Sequence, residues 1–295
     1  MVELRKRKRG STDYYYLEHS FRVNGKIMKK ELYLGKKLPK NIDAIRIDFL
    51  QKIYNEKWYP LLNKIKANYK KDISSATKSE REKELEIFMI NFTYDTQKIE
   101  GSTLTLRETA NLLQHNITPP NKPSRDVKEA ESHSKIFYEM LNYNKDLSLQ
   151  IILKWHYELL KDTRSDIAGK IRTRQVWIAG SKFLPSSPAE VPALIDEIIR
   201  WYNKNKDKVN PVELAALMHL KFVTIHPFID GNGRISRILM NFILKSNKFP
   251  MLNVPYKNRT GYYNALERAQ TKKTDTVFIL WFFKRYIKEY KQYVT

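Results

Sequence analysis

"HPFIDGNGRISR", residues 226–237, is polar, glycine-bearing and doubly basic, and it lies between two apolar stretches with helical spacing. Before it, "PVELAALMHLKFVT" (211–224) reads as an apolar helix; after it, "RISRILMNFIL" (234–244) resumes the helical period with Ile235, Leu239, Phe242 and Ile243. Gly231 and Gly233 do not easily continue the first helix, so Gly231-Asn232-Gly233 marks the N-terminus of the second. Unsatisfied backbone N–H groups and the helix dipole make such a terminus an anion site, and glycine lets the backbone come close to the anion. Arg234 and Arg237, three residues apart, project from one side of the new helix near its positive end. Two cations there repel each other unless an anion joins them, and a polyphosphate does so. Asp230 is a hard oxygen ligand of the kind Mg²⁺ takes beside nucleotide phosphates. His226, with a pKa near neutrality, stands one short loop away and is a candidate general base. Twelve residues thus combine a phosphate cradle, a metal ligand and a base.

Outward from this stretch the chain is mainly α. Helical periodicity predicts helices near 124–144, 148–162, 189–205, 211–224, 234–247, 260–270 and 275–293, and also over 41–71, where Pro60 is expected to kink or break the helix. The stretch "SEREKELEIFMINFTYDTQKIEG" (79–101) places Leu85, Phe88, Met89, Phe92, Thr96 and Ile99 on one helix face, with Gly101 as its stop. Thr105 and Glu108 are spaced as a capping box that opens a further helix. Two β elements are expected. Residues 14–35 read as a ribbon turning at Asn24-Gly25, and residues 171–188 as a hairpin whose strands, Gln175–Ile178 and Lys182–Leu184, flank Ala179-Gly180-Ser181. The expected division is a basic ribbon and helical region over 1–75 and one large domain over 76–295.

The 295 residues include 54 basic and 32 acidic side chains, six histidines and no cysteine. Disulfides and thiolate chemistry are excluded. The net charge of +22 attracts polyanions, or else belongs to a solvated lysine-rich surface. No apolar run reaches membrane-spanning length, and the basic N-terminus is not followed by the apolar stretch of a secretory signal. Cytoplasmic residence with no membrane association is the expectation.

The central stretch is similar at every specified position to the Fic signature, HxFx(D/E)GNGRxxR. "GKIRTRQVWIAGSKFLPSSP" (169–188) resembles the Fic flap, "EVPALIDEIIRWYN" (190–203) the helix that follows it, and the resemblance extends over roughly residues 80–275. It implies a helical Fic core with a β-hairpin flap, and an enzyme that moves AMP from ATP to a serine, threonine or tyrosine hydroxyl of a target protein, with Mg²⁺ as cofactor. Carried over by motif position, His226 deprotonates the hydroxyl and Asp230 holds Mg²⁺. Backbone at Gly231 and Gly233 and the Asn232 side chain stabilise charge on the phosphates, Arg234 holds the β-phosphate and Arg237 the γ-phosphate. Glycine rather than lysine at Gly233 favours AMP transfer over phosphorylation. The flap is expected to pair with the target as an added strand. Trp177, Ile178 and Phe183 are candidates either to clamp the target or to pack the hairpin on the body. Tyr262 and Tyr263 are candidate adenine contacts.

"TQKIEG" (96–101) resembles the inhibitory motif (S/T)xxxE(G/N) that precedes the core in one class of Fic proteins, and the implied inhibitory helix covers about 80–100. Glu100 is expected to form a bidentate pair with Arg237, which denies the γ-phosphate its arginine. A de-AMPylating mode, with Glu100 aligning a water, is an extension of the same resemblance. Three matters stay open in the sequence: another donor such as UTP, a nucleic-acid-associated regulator working through the basic N-terminal ribbon, and a homodimer through "WYPLL" or the C-terminal aromatic helix.

Overall fold

The basic N-terminal run is a strand. In the computed structural model, which describes residues 2–23 and 26–294, β1 (Val2–Arg9), β2 (Thr12–Val23) and β3 (Lys26–Gly35) form an antiparallel sheet in that order. The expected two-stranded ribbon therefore gains a third strand, and the expected Asn24-Gly25 turn lies outside the described residues. β1 is stable despite its charge because alternation sorts it. Leu4 pairs with Leu17, which pairs with Leu32, and this face meets Ile45, Phe49 and Ile53 of α1 (Ile42–Ile53). On the other face Arg7 reaches Glu18 and Glu31.

After α1 the chain stays helical through a π-turn over Tyr54–Trp58 and α2 (Tyr59–Ser75), so Pro60 does not break it. A proline ring collides with the carbonyl four residues back, here that of Glu56. The wider turn, in which the Tyr59 N–H donates to Tyr54 O, opens the ladder at that point. Two compact units divide between Lys64 and Ile65.

The second unit holds α3 (Lys78–Ile99), α4 (Leu106–His115), α5 (Ser124–Asn142), α6 (Leu149–Leu160), α7 (Val191–Asn205), α8 (Pro211–Ile225), α9 (Asn232–Ser246), α10 (Arg259–Thr271) and α11 (Thr276–Glu289). Both α3 and α4 begin in reciprocal capping boxes, Thr77 with Glu80 and Thr105 with Glu108. α3 ends as expected at Gly101 (φ 96°), where the N–H groups of Ser102 and Gly101 donate to Gln97 O (3.0 Å) and Lys98 O (3.2 Å) in a Schellman arrangement. α8 is apolar on all sides, and a helix without a polar face has to be interior. It is buried along nearly its whole length and packs on α7, α9 and α11, while α9 also meets α3, α5 and α6. Among the described residues no helix is long and apolar enough to cross a membrane.

The hairpin expected over 171–188 is absent as a ladder: this segment is irregular chain. Pro185 and Pro188 supply no N–H, and side chains take the carbonyls a ladder would use. Gln175 Nε2 donates to Pro185 O (3.2 Å), and the Arg172 guanidinium to Arg174 O (3.0 Å) and Ser186 O. Glu267 accepts from the Lys182 N–H at 2.6 Å.

Three buried histidines lie in this unit. Burial, reinforced by Arg237 and Arg234, pushes His133 down to about 3; burial, reinforced by Arg237, pushes His219 to about 3; and burial, with Arg234, pushes His156 to about 4. Their folded pKa values lie below the unfolded value of 6.5, so the unfolded chain takes up protons first as pH falls. Their stabilising contribution is complete above that value and is lost below it. Denaturant unfolding at pH 7 and pH 5 is expected to differ by roughly 2 kcal/mol per histidine; equal stability at the two values would contradict neutral burial.

Candidate active site

α8 ends at His226, which adopts the left-handed conformation (φ 54°) and donates its backbone N–H to Phe222 O at 3.0 Å. The chain enters α9 through Gly231 at φ 81°, where an added Cβ would also meet the His156 ring at 3.2 Å. Both the backbone angle and the close ring require glycine. Asn232 is 2% exposed, and its amide donates to Phe228 O (2.8 Å) and accepts from the Phe228 N–H (2.9 Å). The Asn232 side chain, expected as a phosphate contact, is engaged in this structure in closing the loop. The first N–H groups of α9 remain at the loop's mouth, because a helix start leaves them without carbonyl partners.

His156, which sequence reasoning missed, supports this loop from below. Its Nδ1 accepts from the Gly169 N–H (2.9 Å), so Nε2 carries the proton and donates to Asp230 O at 3.0 Å. Its ring stacks on Phe228 with centroids 3.7 Å apart. A lone histidine in an apolar helix carries no local signal of such a task.

The Asp230 carboxylate accepts from the Gly231 N–H (2.6 Å) and Arg234 Nη2 (3.0 Å), and its other oxygen faces Arg125 (3.2 Å) and Arg164 (3.7 Å). Burial pulls its pKa up, but Arg234, the Gly231 N–H, Arg125 and Arg164 outweigh that and hold it below the ordinary value. Arg234 is fully buried and pairs with Glu129, itself bound by Arg125 Nε (2.8 Å) and the Thr163 hydroxyl (3.1 Å). Arg125, Glu129, Thr163 and Arg164 were all missed. The i,i+4 spacing of Arg125 and Glu129 is ordinary for an exposed helix pair, and only the fold brings it beneath the loop.

Arg237 is 1% exposed and is gripped by α3. Its Nε donates to the Thr96 hydroxyl (2.6 Å), and its Nη2 to Glu100 Oε1 (2.5 Å). Glu100 thus meets Arg237 through one carboxylate oxygen rather than the bidentate fork expected. The same oxygen lies directly over Gly233, where an added Cβ would collide with it. The carboxylate therefore occupies the space above the first turn of α9, the anion position the sequence predicts.

Tyr262 is 2% exposed and sits beneath Arg237, linked to His219 Nε2 (2.8 Å) and to Arg237 Nη1 (3.4 Å). Tyr262, expected as an adenine contact, has its ring buried in this structure with its hydroxyl against Arg237. Tyr263 is 45% exposed, donates to Ile99 O at 3.3 Å, and keeps a ring available. In the flap segment Trp177 is 76% exposed, whereas Ile178 and Phe183 are half-buried. Arg172, also missed, ties this segment to the loop before α9: its Nε donates to His226 O (2.7 Å) and its backbone N–H to Pro227 O (3.0 Å).

The His226 ring faces Val223 O through Nδ1 at 3.4 Å, which leaves the Nε2 lone pair free to take a proton. Burial, with the Arg172 charge, lowers its pKa below the ordinary value against the opposing effects of Val223 O, Glu100 and Asp230.

The chain matches the Fic/DOC family over residues 146–244. It is 34% identical over 184 residues to protein adenylyltransferase fic-1 of Caenorhabditis elegans, covering 60% of this chain and 36% of that protein. It is 33% identical over 180 residues to protein adenylyltransferase Fic of Drosophila melanogaster, with the same coverage. The chain thus spans about a third of the length of these curated relatives. Among solved structures, a Fic-domain-containing signalling protein of Bacteroides thetaiotaomicron superposes with a TM-score of 0.71 at 27% identity, covering 79% of this chain and 95% of that one. A fragment of Fic-1 from C. elegans does so with a TM-score of 0.69 at 26% identity, covering 87% and 77%. Fold, loop sequence and relatives agree on a Fic/DOC domain over residues 146–244 of the chain.

Proposed function

We propose that this chain transfers AMP from ATP to a hydroxyl of a target protein and that its own Glu100 restrains the transfer. One observation carries this reading: the Glu100 carboxylate lies over Gly233 and on Arg237, as an anion inside an anion site. In the reaction, His226 Nε2 takes the proton of the target hydroxyl as its oxygen attacks the α-phosphorus, and the bond to the bridging oxygen breaks to release pyrophosphate. The α9 N-terminus and Arg237 stabilise the charge that develops on the phosphates, which is positioning and electrostatics rather than covalent catalysis. Arg234, locked to Glu129 and Asp230, reaches a β-phosphate only by exchanging one of these partners.

The residues fit Mg²⁺. Asp230 offers one ionised, partly exposed carboxylate at the loop's mouth, and Mg²⁺ needs only one or two protein carboxylates when phosphates and water complete its shell. When bound there it would neutralise phosphate charge. Arg125 and Arg164 hold that carboxylate ionised and oriented.

The uncharged His226 ring is the working form, so the rate rises with pH through its depressed pKa and is flat near neutrality. The pH–rate profile of a Glu100→Gly protein is expected to inflect below the ordinary imidazole value of 6.5; an inflection above it would remove His226 as the base. A target strand would pair with the flap backbone away from the Arg174, Pro185 and Ser186 carbonyls that its own side chains hold, with Trp177 exposed beside it. The Glu100 carboxylate would also serve to align a water for hydrolytic removal of AMP from the target.

Transfer is tested with ATP labelled at the α- or the γ-phosphate and a Glu100→Gly protein. Label entering protein from the α position alone supports AMP transfer. Label from the γ position would mean phosphorylation, and transfer from UTP in preference to ATP would replace the donor.

A further inference from the structure

The transfer chemistry leaves the N-terminal unit unused. Residues 1–64 carry sixteen lysines and arginines against seven aspartates and glutamates, a denser positive balance than the remaining 231 residues with their 38 against 25. The sheet divides this charge by face. Val2, Leu17 and Leu32 pack toward α1, and Leu4 lies on the same face. Strand alternation therefore puts Arg5, Arg7, Arg9, Tyr14, Tyr16 and Tyr33 on the opposite face.

That face is built rather than incidental. The Tyr16 and Tyr33 rings lie 5.2 Å apart and those of Tyr14 and Tyr33 6.3 Å apart. Arg7 sits over Tyr16 at 4.6 Å, held there by Glu18 and Glu31, and Lys36 stands 6.0 Å from Tyr14. Tyr33 is 52% exposed, and the three arginines are exposed. Glu18 is shared by Arg7 and Lys29 (3.2 Å), Glu31 is held by Arg7 and Glu3 by Arg5 at 2.5 Å, so the excess positive charge lies at Arg9 and Lys36, flanking the rings.

We propose that this face binds single-stranded nucleic acid, with Tyr14, Tyr16 and Tyr33 stacking on bases and Arg9 and Lys36 meeting phosphates. An aromatic ring accepts the face of any unpaired base, and a basic rim tracks the backbone beside it. A duplex hides its base faces inside the stack, so tyrosines standing on a sheet have nothing to stack on. The site is separate from the catalytic loop in sequence and in chemistry.

The test is fluorescence anisotropy of a labelled single-stranded DNA of about twenty nucleotides, a length exceeding one stacking platform, with the intact chain at low salt and a duplex of equal length beside it. Tyr16→Leu and Tyr33→Leu are each expected to weaken single-strand binding about 5- to 150-fold, and Tyr33→Phe to retain it. Arg9→Ser is expected to make the salt dependence shallower. Thermal unfolding serves as the folding control, with Tyr33→Thr, a strand former at an exposed position, as a second variant. Equal or tighter duplex binding, unchanged affinity in folded tyrosine variants, or no binding at low salt would each overturn the proposal.

Discussion

Glu100→Gly is expected to raise AMP transfer by on the order of 10²- to 10³-fold, the effect of restoring one charge-stabilising donor to a transition state. Arg237 is that donor. In the present arrangement one Glu100 oxygen binds its Nη2 and overlies Gly233, so a nucleotide entering the loop finds both its arginine and its backbone cradle taken. Glycine removes the carboxylate without disturbing the helix end, because Glu100 is already the last residue before the left-handed Gly101. The substitution also leaves a buried cation short of its counter-ion. Thr96 and Tyr262 still hold Arg237, so the unliganded variant should fold but melt earlier than wild type, and ATP should restore part of the difference. Initial rates of transfer and melting curves with and without ATP check both halves. Unchanged rate would mean that the pair is structural.

His226→Ala is expected to lose about 10²- to 10⁴-fold of the activity unmasked by Glu100→Gly, the usual loss when a general base is removed. The position complicates the experiment, since His226 holds φ 54°, which alanine disfavours and asparagine tolerates. His226→Asn should therefore keep the loop and Arg172's bond to the residue 226 carbonyl while still lacking the base. Both variants should be inactive and both should bind ATP. Activity surviving in the asparagine variant would assign proton removal elsewhere.

The parts of this molecule legible in the sequence are those decided by local rules. α8 and α9 declare themselves by apolar period, the loop between them by its glycines, and the end of α3 by Gly101. Glu100 could be paired with Arg237 only through the family resemblance, because the residues are far apart in the chain and nothing local joins them. Three misreadings have one physical source, which is that long-range partners override local preference. β1 is too basic to look like a strand, yet Leu4 finds Leu17, and Arg7 finds Glu18 and Glu31, across the sheet. The segment 171–188 has strand-forming residues, yet Arg172 and Gln175 side chains claim its carbonyls. Tyr262 and Tyr263 are adjacent and look interchangeable, yet helical rotation buries one under Arg237 and leaves the other half exposed. Arg125, Arg164, Glu129 and His156 are invisible locally because each acts through Asp230 or Arg234, residues that come near only after folding.

The most direct test of a restrained AMP transferase is intact-mass spectrometry of three proteins incubated with ATP and Mg²⁺: wild type, Glu100→Gly, and Glu100→Gly combined with His226→Asn. The account predicts that Glu100→Gly modifies itself and gains the mass of one or more AMP groups, that wild type gains little and that the double variant gains none. Equal gain in wild type and Glu100→Gly, or gain in the double variant, would contradict it.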